Sequence, residues 1–141
     1  MKIFILEDNP GRIAWFKKHF GQTNIETTSR IFKAIEILKA KKFDLILLDR
    51  DVGHPRWSGD DLAFAMWQEK IAVDAPIIVH SMNVQQRQIM MTHLAHLHKN
   101  TIQISFKELK LLSPEEILDL AGVKHEESDK KENEKQKVPE L

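Results

Sequence analysis

The sequence contains no cysteine. Disulfides, zinc-thiolate centres and thiol nucleophiles are therefore excluded. Neither charge is in excess, since 21 Lys plus Arg balance 21 Asp plus Glu. No global field draws nucleic acid, so a phosphate-rich partner would need a local basic patch. No apolar stretch approaches the ~20 residues that span a bilayer. Glycine is scarce at five residues. None of them forms a G-x-G-x-x-G, Walker or G-x-S-x-G pattern, which removes the dinucleotide, P-loop and serine-hydrolase signatures. The opening residues enter a strand after a single Lys and do not read as a signal peptide. A cytoplasmic location and no membrane contact are the expectation.

What is present suits one soluble domain. At 141 residues a chain buries roughly two-thirds of its unfolded surface, enough for one real core. Three apolar runs end in polar groups: Ile3-Phe4-Ile5-Leu6 at Glu7-Asp8, Leu45-Ile46-Leu47-Leu48 at Asp49, and Pro76-Ile77-Ile78-Val79 at His80-Ser81. Such runs read as buried parallel strands.

The remaining elements follow from local signals. Strand one is predicted over Lys2 to Glu7. Asn9 caps a first helix with Pro10 at its first position, and Ile13, Phe16 and Phe20 share one face until Gly21 stops it. A weak strand is predicted around Ile25 to Thr27. Ser29 is expected to cap a second helix with the stripe Ile31, Ile35 and Leu38. Strand three is predicted over Phe43 to Asp49, then an irregular loop over Asp51 to Ser58. A third helix runs from about Asp60 to Lys70, with Leu62, Met66 and Trp67 inward. Strand four is Pro76 to Ser81, and Asn83 caps a fourth helix reaching about Leu97. Strand five is Thr101 to Phe106. Ser113-Pro114-Glu115-Glu116 is a capping box that opens a fifth helix, and Gly122 ends it. From Lys124 the chain is almost all charged or polar, so residues 1–123 are expected to fold and 124–141 to form a disordered tail.

Five strands alternating with five helices predict an α/β three-layer sandwich. Right-handed crossovers favour the flavodoxin-like parallel sheet, order 2-1-3-4-5. Ligand sites of such sheets lie beyond the carboxyl ends of the strands. Glu7, Asp8, Asp49 and Ser81 are then expected to converge there. Crowded carboxylates raise one another's pKa unless a counter-charge is present. Mg²⁺ is the simplest relief, with Glu7, Asp8 and Asp49 as ligands and a carbonyl near Asp51 as a further one. The alternative is that these residues merely end strands on a wet edge.

Ser81 could donate to a phosphate oxygen, and Lys107 beyond strand five could balance its charge. His80 points away from Ser81 by strand alternation, either into the site or into the core. Arg56 and Trp57 could contact phosphate and stack on a base, or Trp57 could pack on its own domain. His93 and His96 stand at i, i+3. Without a third ligand, they and His98 read better as a solvated face.

These residues resemble the receiver domains of bacterial two-component systems over Met1 to about Val123. In receivers the strand-one acidic pair binds Mg²⁺, the strand-three Asp accepts a phosphoryl group and the strand-four Ser contacts it. The resemblance implies those roles for Glu7 and Asp8, for Asp49 and for Ser81. A closer likeness is to the cyclic-phosphate processing receiver domains, proposed to act on 2′,3′-cyclic phosphate ends of RNA. Leu48-Asp49-Arg50-Asp51 is similar to their Leu-Asp-His-Asp. His80-Ser81-Met82-Asn83 is similar to their His-Ser-x-Asn-Pro, and the opening Ile5 to Phe16 is similar to theirs. Arg50 stands where the family has His, Val84 where it has Pro, and Lys107 precedes Glu108 rather than a Pro. The Asp49 to Gly59 loop is also longer than in ordinary receivers. Guanidinium does not titrate near neutrality, so Arg50 can stabilise charge but not exchange protons.

The resemblance implies Mg²⁺-dependent phosphoesterase chemistry on RNA ends or small cyclic phosphates. Asp49 or Asp51 would be base or ligand, His80 an acid, and Ser81, Asn83 and Lys107 the phosphate contacts. Two other readings are a stand-alone receiver phosphorylated on Asp49, signalling to a protein partner through helix four and strand five, and an inactive interaction module. No DNA-binding domain is read in the sequence.

Overall fold

The computed structural model describes residues 1–21, 23–82 and 84–123. The expected tail, 124–141, and the expected cap and phosphate contact Asn83 lie outside the described residues. Five strands are formed: β1 (Lys2–Leu6), β2 (Asn24–Thr28), β3 (Leu45–Leu48), β4 (Ile77–Val79) and β5 (Thr101–Gln103). They alternate with α1 (Pro10–Phe20), α2 (Ile31–Ala40), α3 (Gly59–Gln68) and α4 (Val84–Leu94), and α5 (Phe106–Leu109) and α6 (Pro114–Ala121) follow β5. All strand pairs are parallel and the order is β2-β1-β3-β4-β5, as expected. Among the described residues no helix is long and apolar enough to cross a membrane.

Strand alternation divides the core in two. Phe4, Leu6, Ile46, Leu48, Ile77 and Val79 face α2, α3 and α4. Ile3, Ile5, Leu45, Leu47 and Ile78 face α1, α5 and α6. Because the three central strands are covered on both faces, their residues are apolar without interruption. Each of these fully buried side chains contributes on the order of 1.5–3 kcal/mol.

Caps set where the helices begin. The Asn9 side chain accepts from the backbone N–H groups of Gly11 and Arg12 at 2.9 and 3.1 Å. Capping boxes at Ser58 with Asp61 and at Ser113 with Glu116 open α3 and α6.

Several sequence expectations are corrected. Among the described residues there are six helices rather than five, because Ser105 caps the short α5: its hydroxyl accepts from the Glu108 N–H at 3.1 Å. Ser105-Phe106-Lys107-Glu108 carries the capping-box pattern, so β5 stops at Gln103 and does not reach Phe106. Arg30, not Ser29, holds the N-cap of α2, and no side chain caps that helix. Helix α4 ends at Leu94, short of Leu97. His98 is not on a solvated face: it is buried, and its Nε2–H donates to the Ile71 carbonyl at 2.6 Å. His93 packs edge-on to Phe64, and His96 lies against Trp67.

Candidate active site

The site is built by register. Leu6 pairs with Leu48, and Leu48 with Val79. Glu7, Asp49 and His80 are the next residues on three adjacent strands, so they stand at one level. Pairing carries on into them: Asp49 N–H donates to the Leu6 carbonyl at 3.1 Å and His80 N–H to the Leu48 carbonyl at 2.9 Å. Each lies two residues beyond a side chain of the α1-facing core, namely Ile5, Leu47 and Ile78. Alternation therefore turns all three to that same face. One ligand atom from each lies within 4.8 Å of the others, and all three residues are buried, at 1%, 3% and 0% exposure.

Glu7 is held from several directions. Its Oε1 accepts from His80 Nε2 at 3.2 Å, and its Oε2 accepts from the backbone N–H groups of Asp8 and Asn9 at 3.1 and 3.2 Å. Burial alone would raise its pKa. The hydrogen bond from His80, the Asn9 N–H and Arg12 lower it, and the balance holds it below the usual value. Burial holds His80 below its ordinary value, so the ring is neutral at pH 7. An ionised Glu7 can only accept, so Nε2 carries the hydrogen, and Nδ1 is left buried without a partner. Phe16 and Phe106 pack against the ring, with centroids 5.4 and 6.4 Å away.

Asp49 behaves in the opposite way. Burial, and then the Glu7 charge, push its pKa up to about 7, against the pull of Arg12 and the Arg50 N–H. That N–H donates to Oδ1 at 2.8 Å. Asp8 is more exposed, at the rim, and its pKa is also raised, by burial and then by Glu7.

The cation of the site is Arg12, whose role the sequence did not disclose. Its Nη1 lies 3.5 Å from Asp49 Oδ2 and 3.7 Å from Glu7 Oε1. Its guanidinium stacks 4.8 Å above the Phe106 ring, a cation–π contact that aims it. Lys107, expected to balance phosphate charge, is an exposed residue of α5. Arg12 sits one turn into α1, where the Asn9 cap directs the helix back over the sheet. Its place in the stretch from Ile5 to Phe16 was the available signal, but nothing local showed which way it points.

Asp51 is 65% exposed and pairs with Arg50 Nη1 at 3.1 Å. Arg50 also binds Asp60 through Nε at 3.0 Å, so its guanidinium is drawn toward the start of α3. Ser81 is buried, and alternation places it on the face opposite His80.

Two carboxylates at this depth face a single guanidinium. The hard oxygen donors of Glu7, Asp8 and Asp49 suit a divalent cation such as Mg²⁺, and the raised pKa of Asp49 reflects the charge that such an ion would balance.

The cyclic-phosphate processing receiver domain family matches residues 3–96. No curated protein sequence matches the chain significantly. Solved structures share the fold. The response regulator TrrA of Thermotoga maritima, in complex with Mg²⁺-BeF, is 23% identical with a TM-score of 0.58, over 78% of this chain and 93% of that one. The chemotaxis protein CheY4 of Vibrio cholerae is 17% identical with a TM-score of 0.61, over 84% and 92%. The receiver domain of a Pseudomonas aeruginosa sensor histidine kinase, with magnesium coordinated in its active-site cleft, is 18% identical with a TM-score of 0.60, over 86% and 97%. The fold and sheet order are those that receiver domains share. Within that class, the chain belongs to the cyclic-phosphate processing receiver domain family.

Proposed function

We propose that the domain opens cyclic phosphates, at RNA ends or on small molecules, with the help of a divalent cation. The observation that carries this reading is the buried level of Glu7, Asp49 and His80 with Arg12 facing it. Glu7, Asp8 and Asp49 would hold the ion, which when bound would neutralise charge on the phosphoryl oxygens.

The chain's own residues divide the remaining work. Arg12, beside Glu7 and Asp49, takes a non-bridging phosphate oxygen as a further partner. Asp49 accepts the proton of the attacking water. The water oxygen bonds to phosphorus, one ribose P–O bond breaks, and the released ribose oxygen takes a proton from solvent. His80 meets no solvent. It is a positioning residue that fixes Glu7 through Nε2 rather than a proton donor to substrate. Arg50, tied to Asp51 and Asp60, supplies charge at the rim and no proton.

The test uses the full chain with Mg²⁺ and a 2′,3′-cyclic mononucleotide, beside Asp49→Asn and Arg12→Ala. Opening to the monoester, lost in Asp49→Asn, is the expected result. No opening with Mg²⁺ or Mn²⁺ overturns the reading. A second reading draws on the Mg²⁺-BeF complex of TrrA: Asp49 accepts a phosphoryl group and signals through α4 and β5. Acetyl phosphate with Mg²⁺ then yields an acid-labile phosphoprotein. Silence in both assays leaves an interaction module.

A further inference from the structure

Beside the acidic site lies a cavity of about 850 Å³ whose walls are the start of α2 and the long loop after β3. We propose that it is a nucleobase-and-phosphate subsite, which takes the nucleotide that carries the cyclic phosphate. This inference rests on the proposed function for its substrate class, but on the cavity for its residues.

The first observation is a pair of aromatic rings held out of the core. Phe32 is 61% exposed and Trp57 39% exposed. They meet edge-to-face with centroids 5.0 Å apart, and both line the cavity. The second is that Trp57 is fixed in place. His54 Nδ1 accepts from the backbone N–H groups of Arg56 and Trp57 at 3.0 and 3.2 Å. Nδ1 is thereby an acceptor, and any ring hydrogen of the neutral form sits on Nε2. A pre-ordered exposed aromatic offers a stacking face without an ordering cost.

The third is charge. Arg30 and Lys33 line the same cavity with one carboxylate, Glu36, so the lining is net positive in a chain of zero net charge. Lys33 pairs with Glu36 at 3.5 Å, but both side chains are mostly exposed and such a pair is readily exchanged for a phosphate. The fourth is continuity with the acidic site. Gly53 lines the cavity at φ +70°, and a Cβ there would sit 2.7 Å from Asp8 Oδ2. The Glu7 N–H donates to the Thr28 carbonyl at 3.1 Å, which ties the acidic site to the residue before the cavity wall at Ser29. A nucleotide whose phosphate meets Arg12 and Asp49 can therefore lay its base toward Trp57 and a neighbouring phosphate toward Arg30 and Lys33. A peptide would use the same rings, but it would have no need of the basic side chains next to a phosphate site.

The experiment is equilibrium binding to the full chain without divalent metal, so that no turnover intervenes. The probe is a short single-stranded oligoribonucleotide with a 3′-phosphate and a fluorophore at its 5′ end, followed by fluorescence anisotropy. A saturable rise is expected. Trp57→Ala and Phe32→Ala should each weaken binding roughly tenfold or more, as expected for a lost base stack. Arg30→Glu with Lys33→Glu should weaken it and flatten its salt dependence. Ribose 5-phosphate should not compete. All four side chains lie at the surface, and circular dichroism confirms folding of each variant. Affinity indifferent to the aromatic and the basic changes overturns the proposal, as does equal competition by ribose 5-phosphate. Cyclic-phosphate opening on the same protein reports on the acidic site alone. Binding without turnover keeps the cavity and removes the activity, and turnover with unchanged binding in the variants does the reverse.

Discussion

At the scale of single residues the site depends on who balances whom. Arg12 Nη1 stands 3.5 Å from Asp49 Oδ2. Arg12→Ala should cut the rate of cyclic-phosphate opening by about a hundredfold, the usual loss when a fixed donor to developing charge is removed, measured as kcat on a 2′,3′-cyclic nucleotide. Arg12→Lys should recover only part, since a point charge does not stack on Phe106 as a plane does. Asp49 makes a pH prediction. Its folded pKa, about 7, exceeds its unfolded value near 3.8. The folded state then binds more protons between those values, so metal-free stability contributed at Asp49 falls as pH rises from about 4 to about 7. His80, lowered by burial, acts in the opposite sense below its ordinary 6.5. The clean measurement is therefore the difference between variants. The melting temperature of Asp49→Asn minus that of the wild type should climb across this window and level off above pH 7. A difference that stays constant with pH would contradict the buried-carboxylate description.

At the scale of elements, two structural details set the geometry. Gly59 begins α3 so close to the end of β3 that a Cβ would run into the Asp49 carbonyl, the Arg50 Cα and the Met90 Cε. Gly59→Ala should cost about 1–3 kcal/mol by overpacking, read from urea unfolding, and should lower activity by shifting Asp49. The second detail is α5. Ser105 caps it, and Phe106 turns inward beneath Arg12 while Lys107 turns out. The capping pattern at Ser105 and Glu108 was readable, and with it the outward turn of Lys107. That Arg12 faces the carboxylates was not readable, because it depends on how α1 crosses the sheet.

At the scale of the whole molecule, the sheet gathers charges that the chain keeps far apart. Mg²⁺ should raise the melting temperature, by more at pH 8 than at pH 5, because the ion competes with the proton on Asp49. Asp49→Asn should abolish most of that rise, and a thermal shift series with and without chelator tests both. By itself the sequence determined the five strands and the helices between them, the parallel sheet and the acidic groups at its carboxyl end, because buried strands are local patterns; it missed α5. It also determined that His80 and Ser81 face opposite sides, since a strand alternates. Only the tertiary structure decided that His80, rather than Ser81, shares the level and face of Glu7 and Asp49 in that cluster, that Arg12 balances them, and that Phe32 meets Trp57 beside them. Alternation says that two neighbours differ, but not which helices lie over each face; that is settled when the layers pack and the burial of charge has to be balanced across them.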